Sequence, residues 1–117
     1  MSSNKIVEKP WGSYSCIDGS ESCYQVKKIV INPNSMISLQ SHKQRSEHWI
    51  ILEGTIICYI GGDKFELKKN QSMYIPKNVI HRLENNTSFQ SSLIEVQIGE
   101  YLGEDDIIRY EDIYGRN

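Results

Sequence analysis

The sequence predicts an all-β domain folded as a jelly-roll barrel, and three observations carry that reading. Short runs rich in β-branched and aromatic residues recur along the chain, separated by Gly, Asn and Pro turns. No long 3.6-residue periodicity of apolar positions appears anywhere. Polar residues with ligand chemistry sit inside the apolar runs, as they do where the mouth of a small barrel holds a ligand. At 117 residues the chain has material for one core, so a single domain over 1–117 is expected.

Taken in order, KIVEKPWGSYSCID is strand-forming and is available to add to a neighbour's sheet, which predicts a homodimer. YQVKKIVIN is the next strand and ends at the Pro33-Asn34 turn. MISLQS follows, then the polar loop KQRS, then HWIILEG. TIICYI and KFELKK are joined by Gly61-Gly62-Asp63, the clearest hairpin turn in the chain. SMYIP, HRLENN and SSLIEVQIG complete the strands, with Asn85-Asn86 as a further turn. The tail, YLGEDDIIRYEDIYGRN, is different in kind. Its Ile107, Ile108 and Ile113 are spaced for a short helix or turn against the barrel, with Asp105 and Asp106 near its start.

Composition narrows the partners. The formal net charge is −2 with both signs mixed, so there is no basic stripe of the kind a nucleic-acid binder displays. Cys16, Cys23 and Cys58 make an odd count without CxxC spacing, which favours reduced thiols in a cytoplasmic protein. No apolar run has the length of a membrane span, and the first ten residues lack the apolar core of a signal peptide. A small molecule is the expected partner.

The most informative residues are Gln40, His42, Glu47 and His81. Side chains alternate faces along a strand, so Gln40 and His42 point the same way. After the short KQRS loop a returning strand presents Glu47 to the same space, and His81 arrives just after the turn marked by Pro76 and Asn78. Two imidazoles, a carboxylate and an amide oxygen can converge on one divalent metal per chain. With no thiolate in the set, zinc, manganese, iron, cobalt and nickel all suit it, and the amide moves it toward Lewis-acid chemistry.

These stretches resemble the two cupin motifs. The first runs from Asn34 through Gln40, His42 and Glu47 to Gly54, and the second from Asn70 through Pro76, Asn78 and His81 to Asn85. Asn34, Asn70 and Asn78 stand where the family pattern has glycine, and Gln40 stands where it has the first histidine. Asparagine tolerates the left-handed backbone that such glycines serve. The resemblance then narrows. EKPWGSY, ISLQSH, RSEHW, QSMYIP, HRLEN and LIEVQIGEYLGEDDIIRYEDIYGR, in that order over nearly the whole chain, are similar to the isomerase domain of type II mannose-6-phosphate isomerases. In that family the domain usually follows a nucleotidyltransferase that makes GDP-mannose. No Gly-rich nucleotide loop is matched here, so the chain resembles a stand-alone isomerase half.

The resemblance implies interconversion of mannose 6-phosphate and fructose 6-phosphate through an enediolate. Its metal, zinc first among the candidates, would be held by Gln40, His42, Glu47 and His81. Lys43, Arg45 and Arg82 are the candidate phosphate-binding residues, with solvated surface charge as the alternative for Lys43 and Arg82. Arg109 is a candidate catalytic residue, with an ion pair to Glu104, Asp105, Asp106, Glu111 or Asp112 as its alternative. Glu95 is the candidate general base, on a polar strand face shared with Gln97 that lines the barrel or faces water. Tyr74 is a candidate pocket residue, His48 a structural or interfacial one, and Trp11 and Trp49 are core or interface aromatics. Other readings are an isomerase or epimerase of a different phosphorylated or nucleotide-linked sugar, a non-catalytic sugar-phosphate-binding protein, or a metal-dependent oxygenase, which Gln40 disfavours.

Overall fold

Two antiparallel sheets face each other across an apolar core in the computed structural model, which describes residues 5–19 and 23–111. The strands are β1 (Ile6–Lys9), β2 (Gly12–Gly19), β3 (Cys23–Ile31), β4 (Ser35–Met36), β5 (Leu39–Ser41), β6 (Arg45–Glu53), β7 (Thr55–Ile60), β8 (Asp63–Lys68), β9 (Ser72–Ile75), β10 (His81–Asn85), β11 (Ser91–Gly99) and β12 (Ile108–Glu111). One sheet runs β1-β2-β3-β11-β6-β9, and the other runs β12-β5-β10-β7-β8 with β4 also on β10. No described residue is helical.

Period-two alternation builds the core. Trp11, Ile29, Ile31, Trp49, Ile51, Ile56, Leu83 and Leu93 are buried between the sheets. Along β3, β11 and β6 the inward residues change character from one end to the other. Ile29, Leu93 and Ile51 are cross-strand neighbours at the closed end. Next come Lys27, Glu95 and Trp49, then Gln25, Gln97 and Glu47. One end of the barrel is therefore filled with hydrocarbon and the other is lined with buried polar groups.

Asn34, Asn70 and Asn78 have φ of 51°, 73° and 66°, the left-handed backbone expected where asparagine replaces glycine. The amide of Asn78 donates to the carbonyl of His42 at 2.8 Å, which ties the two motif loops together. Gly12 cannot be replaced in this way, because a Cβ there would lie 1.9 Å from the carbonyl oxygen of Val30.

The N-terminal segment forms two strands of its own chain's sheet, β2 pairing with β3 and β1 with β2, and β1 stands at the sheet edge. Several expectations are corrected. MISLQS is two strands, interrupted at Ile37–Ser38. Arg45 and Ser46 belong to β6 and not to the preceding loop. The tail turns at residues 104–105 and then forms a strand, with no helix among its described residues. Its β12 covers the open edge of β5, satisfying backbone groups that would otherwise lack a ladder partner. Ile113 and Asp112 lie outside the described residues.

Candidate metal centre and adjoining cleft

His42, Glu47 and His81 are buried and bring one ligand atom each within 4.8 Å of one another. Nε2 of His42 lies 3.5 Å from Oε2 of Glu47, and Nε2 of His81 lies 4.0 Å from Oε1. Two bonds of about 2.1 Å to a common ion give ligand separations of this size. The histidine tautomers are set for the task. Nδ1 of His42 donates to the carbonyl of Asp106 at 2.6 Å, and Nδ1 of His81 donates to the carbonyl of Val79 at 3.0 Å. Each Nε2 therefore carries a lone pair; that of His42 faces Nη2 of Arg45 at 3.1 Å, a contact a metal would replace. Gln40 is directly opposite His81 in the ladder and so shares its face. The residues present fit a divalent metal.

Electrostatics agree with that fit. Burial holds the His42 imidazole below its ordinary pKa, with the Arg45 charge acting in the same direction and Glu47 opposing. Burial works against an ionised Glu47, but Arg45, His81 and His42 outweigh it and lower its carboxyl to about 2. Glu95 is the reverse case. Burial, the neighbouring Glu47 charge and the proton it shares with Glu47 raise its carboxyl to about 8. Gln97 donates to Glu95 at 2.5 Å. Two buried carboxyls thus divide the work, one ionised for a cation and one holding a proton.

Beside this group opens a cleft whose lining includes Gln40, Glu95, Gln97, Arg109, Lys27 and Lys9. Arg109 is opposite Gln40 in the β12–β5 ladder, which aims it at the same space. Its buried Nε has no hydrogen-bond partner among the described residues. The acids proposed as its ion-pair partners are engaged elsewhere where described. Glu104 binds Lys27 at 2.7 Å and Arg45 at 3.4 Å, Asp105 accepts from Tyr101, and Asp106 accepts from the amides of Lys43 and Gln44.

The family model described as Mannose-6-phosphate isomerase C-terminal matches residues 1–112. The chain belongs to that family. It is 50% identical over 113 residues to the xanthan biosynthesis protein XanB of Xanthomonas campestris pv. campestris strain B100, covering 97% of this chain and 24% of that protein. A mannose-1-phosphate guanylyltransferase of Salmonella montevideo is 50% identical over 114 residues, with coverage of 97% and 24%. The alginate biosynthesis protein AlgA of Pseudomonas aeruginosa PAO1 is 48% identical over 110 residues, covering 94% and 23%. The chain thus spans about a quarter of the length of these relatives. Among solved structures, the capsular polysaccharide assembling protein CapF of Staphylococcus aureus superposes with a TM-score of 0.81 at 15% identity, over 96% of this chain and 35% of that one. A cupin 2 conserved barrel protein of Salinispora arenicola gives 0.64 at 17%, over 73% of each chain. The fold is that of the cupins.

Within this isomerase-domain family fold, four of the proposed substrate residues do not line the cleft. Tyr74 pairs with His48 in the β6–β9 ladder and its ring lies 4.8 Å from that imidazole, on the outer face. Parity puts it there, since Ile75 is the inward residue opposite Glu47. Arg82 alternates with His81 and donates to the carbonyl of Ile37 at 2.8 Å. Lys43 is exposed on the ligand loop. Arg45 is buried, but its guanidinium is committed to Glu47 at 2.9 Å, Nε2 of His42 at 3.1 Å and Glu104. His48 points away from the metal group, as its position after a ligand requires. Trp11 and Trp49 are in the core, and Trp49 donates to Oε1 of Glu47 at 3.0 Å. Lys27 went unread in the sequence, and Glu104 and Asp106 were read there only as helix-start or ion-pair acids. Lys27 shares a strand face with Ile29 and Ile31, but Lys28 likewise shares one with Val26 and Val30, so the pairing with β11 is what identifies the buried lysine.

Proposed function

We propose that this chain is a metal-dependent aldose–ketose isomerase acting on mannose 6-phosphate and fructose 6-phosphate. One observation carries the reading: a buried His42–Glu47–His81 group with both Nδ1 atoms tied to backbone carbonyls, next to a proton-holding carboxyl in a polar cleft. Membership of the isomerase-domain family supports it. The relatives' names support a place in sugar-nucleotide supply for polysaccharide synthesis, in which the product leads to GDP-mannose.

Gln40, His42, Glu47 and His81 would hold the ion, and we propose zinc, which nitrogen and oxygen donors suit. When bound, a divalent cation supplies Lewis-acid stabilisation of negative charge on two adjacent substrate oxygens. Moving a proton between the two neighbouring carbons then needs an acid–base group whose pKa lies near neutrality. Glu95 meets that need, since its raised pKa lets it both accept and return a proton. Arg109, aimed into the cleft with an unpartnered Nε, steadies the charge that develops on substrate oxygen. We also propose a homodimer formed through the outer face of the β1-β2-β3-β11-β6-β9 sheet. Incubating the metal-loaded protein with mannose 6-phosphate and assaying for fructose 6-phosphate tests the activity directly. No turnover with any divalent metal sinks it.

A further inference from the structure

The inner face of β3 carries Lys27, a lysine that is 5% exposed inside a barrel of 117 residues. Lysine is almost never buried this far unless its charge is used. Its Nζ is 2.7 Å from Glu104 and sits 4.6 Å above the ring of Tyr14. Lys9, at the end of β1, reaches the same ring from 5.9 Å. Both lysines, Tyr14 and Glu104 line the cleft, as do Arg109 and Ser38. Ser38 Oγ is a second buried polar atom without a hydrogen-bond partner among the described residues.

Charge in the cleft is unbalanced. Lys9, Lys27 and Arg109 face two carboxylates, Glu95 and Glu104. Glu104 is shared with Arg45 from outside the lining. Three cations thus line the cleft against two carboxyl groups, one of them shared with a further arginine, and Ser38 leaves a hydroxyl as a donor. A solvent-reachable site of that composition favours a dianion. The position suits one as well. β3, β11 and β6 are consecutive in the sheet, so Lys27 lies two strand spacings, about 10 Å, across from the strand that carries Glu47. That backbone spacing sets Lys27 beside the metal group, and Glu104 bridges it to Arg45, which contacts Glu47 and His42.

We propose that Lys27 and Lys9, with Ser38, form the phosphate subsite of this cleft, beside the metal group. The inference deepens the isomerase reading and rests on it only for the identity of the sugar. It also assigns the specificity: a substrate without a phosphate leaves the buried Lys27 facing Glu104 alone, and gains nothing from Lys9.

The test is binding of inorganic phosphate to the metal-loaded protein, read by calorimetry and by line broadening of the phosphorus resonance, which needs no turnover. Lys27→Met is expected to weaken phosphate at least about tenfold, and Lys9→Met to weaken it severalfold. Lys27→Met leaves no buried orphan, because Glu104 is half exposed and keeps Arg45. If that variant nevertheless misfolds, Lys9→Met and the exposed-site control Lys69→Met, outside the cleft lining, decide the question, since only the former is expected to respond. Where wild type isomerises mannose 6-phosphate, both cleft variants are expected to raise KM for it far more than they lower kcat. Phosphate that fails to bind wild type at millimolar concentration, or binds the cleft variants as tightly, overturns the subsite. Binding that responds to Lys27 and Lys9 in a protein with no isomerase activity upholds the subsite and overturns the isomerase reading alone.

Discussion

Nδ1 of His42 donates to the backbone carbonyl of Asp106 at 2.6 Å, across 64 residues of sequence. The same Asp106 accepts from the amides of Lys43 and Gln44 through its carboxylate. One tail residue therefore fixes both the tautomer of a metal ligand and the loop that carries it. Asp106→Ala is expected to weaken metal binding about tenfold by loosening that loop while the fold persists. Competition against a chelating dye measures it, and unchanged affinity counts against a role for Asp106 in holding the ligand.

Metal removal is the direct test of the centre. The chelated protein is expected to lose isomerase activity and regain it when a divalent ion is added back. His42→Ala should lower metal content more than it lowers the melting temperature, because the strands around it are held by their own ladders. Affinity is also expected to fall in acid, as the imidazoles must lose a proton before they can bind. Full activity in a demonstrably metal-free sample defeats the proposal.

Glu95 makes the stability of the metal-free protein depend on pH in a defined direction. Its carboxyl is raised from 4.5 to about 8, so between those values the folded state binds more protons than the unfolded state. The stability this contributes is complete below pH 4.5 and is lost as pH rises toward 8. Glu47 acts oppositely at the acid end. Its carboxyl is lowered to about 2, so its contribution is complete above 4.5 and is lost as pH falls toward 2. Glu95→Gln is expected to abolish the decline on the alkaline side in urea titrations. It should also cut turnover by roughly a hundredfold or more. A Glu95→Gln protein with wild-type turnover removes this residue from the chemistry.

Arg109→Ala is expected to lose about a hundredfold in turnover while keeping fold and metal. The expectation rests on position, since Arg109 shares a face with Gln40 and its Nε is buried without a partner among the described residues. Steady-state kinetics on a folded, metal-loaded variant decide it. Near-wild-type turnover would return Arg109 to the class of surface ion pairs, with Glu111 or Asp112 as the partner to seek.

The convergence of His42 and Glu47 with His81 was legible in the sequence because most of its information is local. Gln40, His42 and Glu47 are separated by one alternation and one short loop, and the antiparallel return does the rest. The three asparagines at positive φ were legible for the same reason, each marking a turn. What stayed hidden depends on distant partners. Ile107 and Ile108 fit a helical turn or a strand equally well, and the open edge of β5 is what selects the strand. Tyr74 and Ile75 are adjacent, and only the pairing of β9 with β6 fixes which faces inward. In YQVKKIVI both alternating faces hold one lysine, so the strand alone does not say whether Lys27 or Lys28 is buried. That choice is made by β11, which sets Lys27 opposite Glu95.

Self-association is expected to use the outer face of the β1-β2-β3-β11-β6-β9 sheet. Tyr24, Ile50, Tyr74 and Ile98 are exposed there, and cross-strand pairing sets apolar residues side by side around the exposed Lys28. Ile98 is opposite Tyr24, Ile94 is opposite Ile50, and Val96 is opposite His48, which stacks on Tyr74. β1 stands at the edge of the same sheet with one side of its backbone unpaired among the described residues. A flat β-branched surface of this kind covers itself well in a two-fold pair, where about 800 Å² per partner suffices for a stable interface. Ile98 lies on the face opposite Gln97, so a charge placed there enters the interface without entering the cleft. Ile98→Asp is therefore expected to convert a dimer to a monomer with fold and metal content intact. Sizing with light scattering at micromolar concentration reads the outcome: a wild-type monomer, or an Ile98→Asp protein that stays dimeric, places the contact elsewhere or removes it.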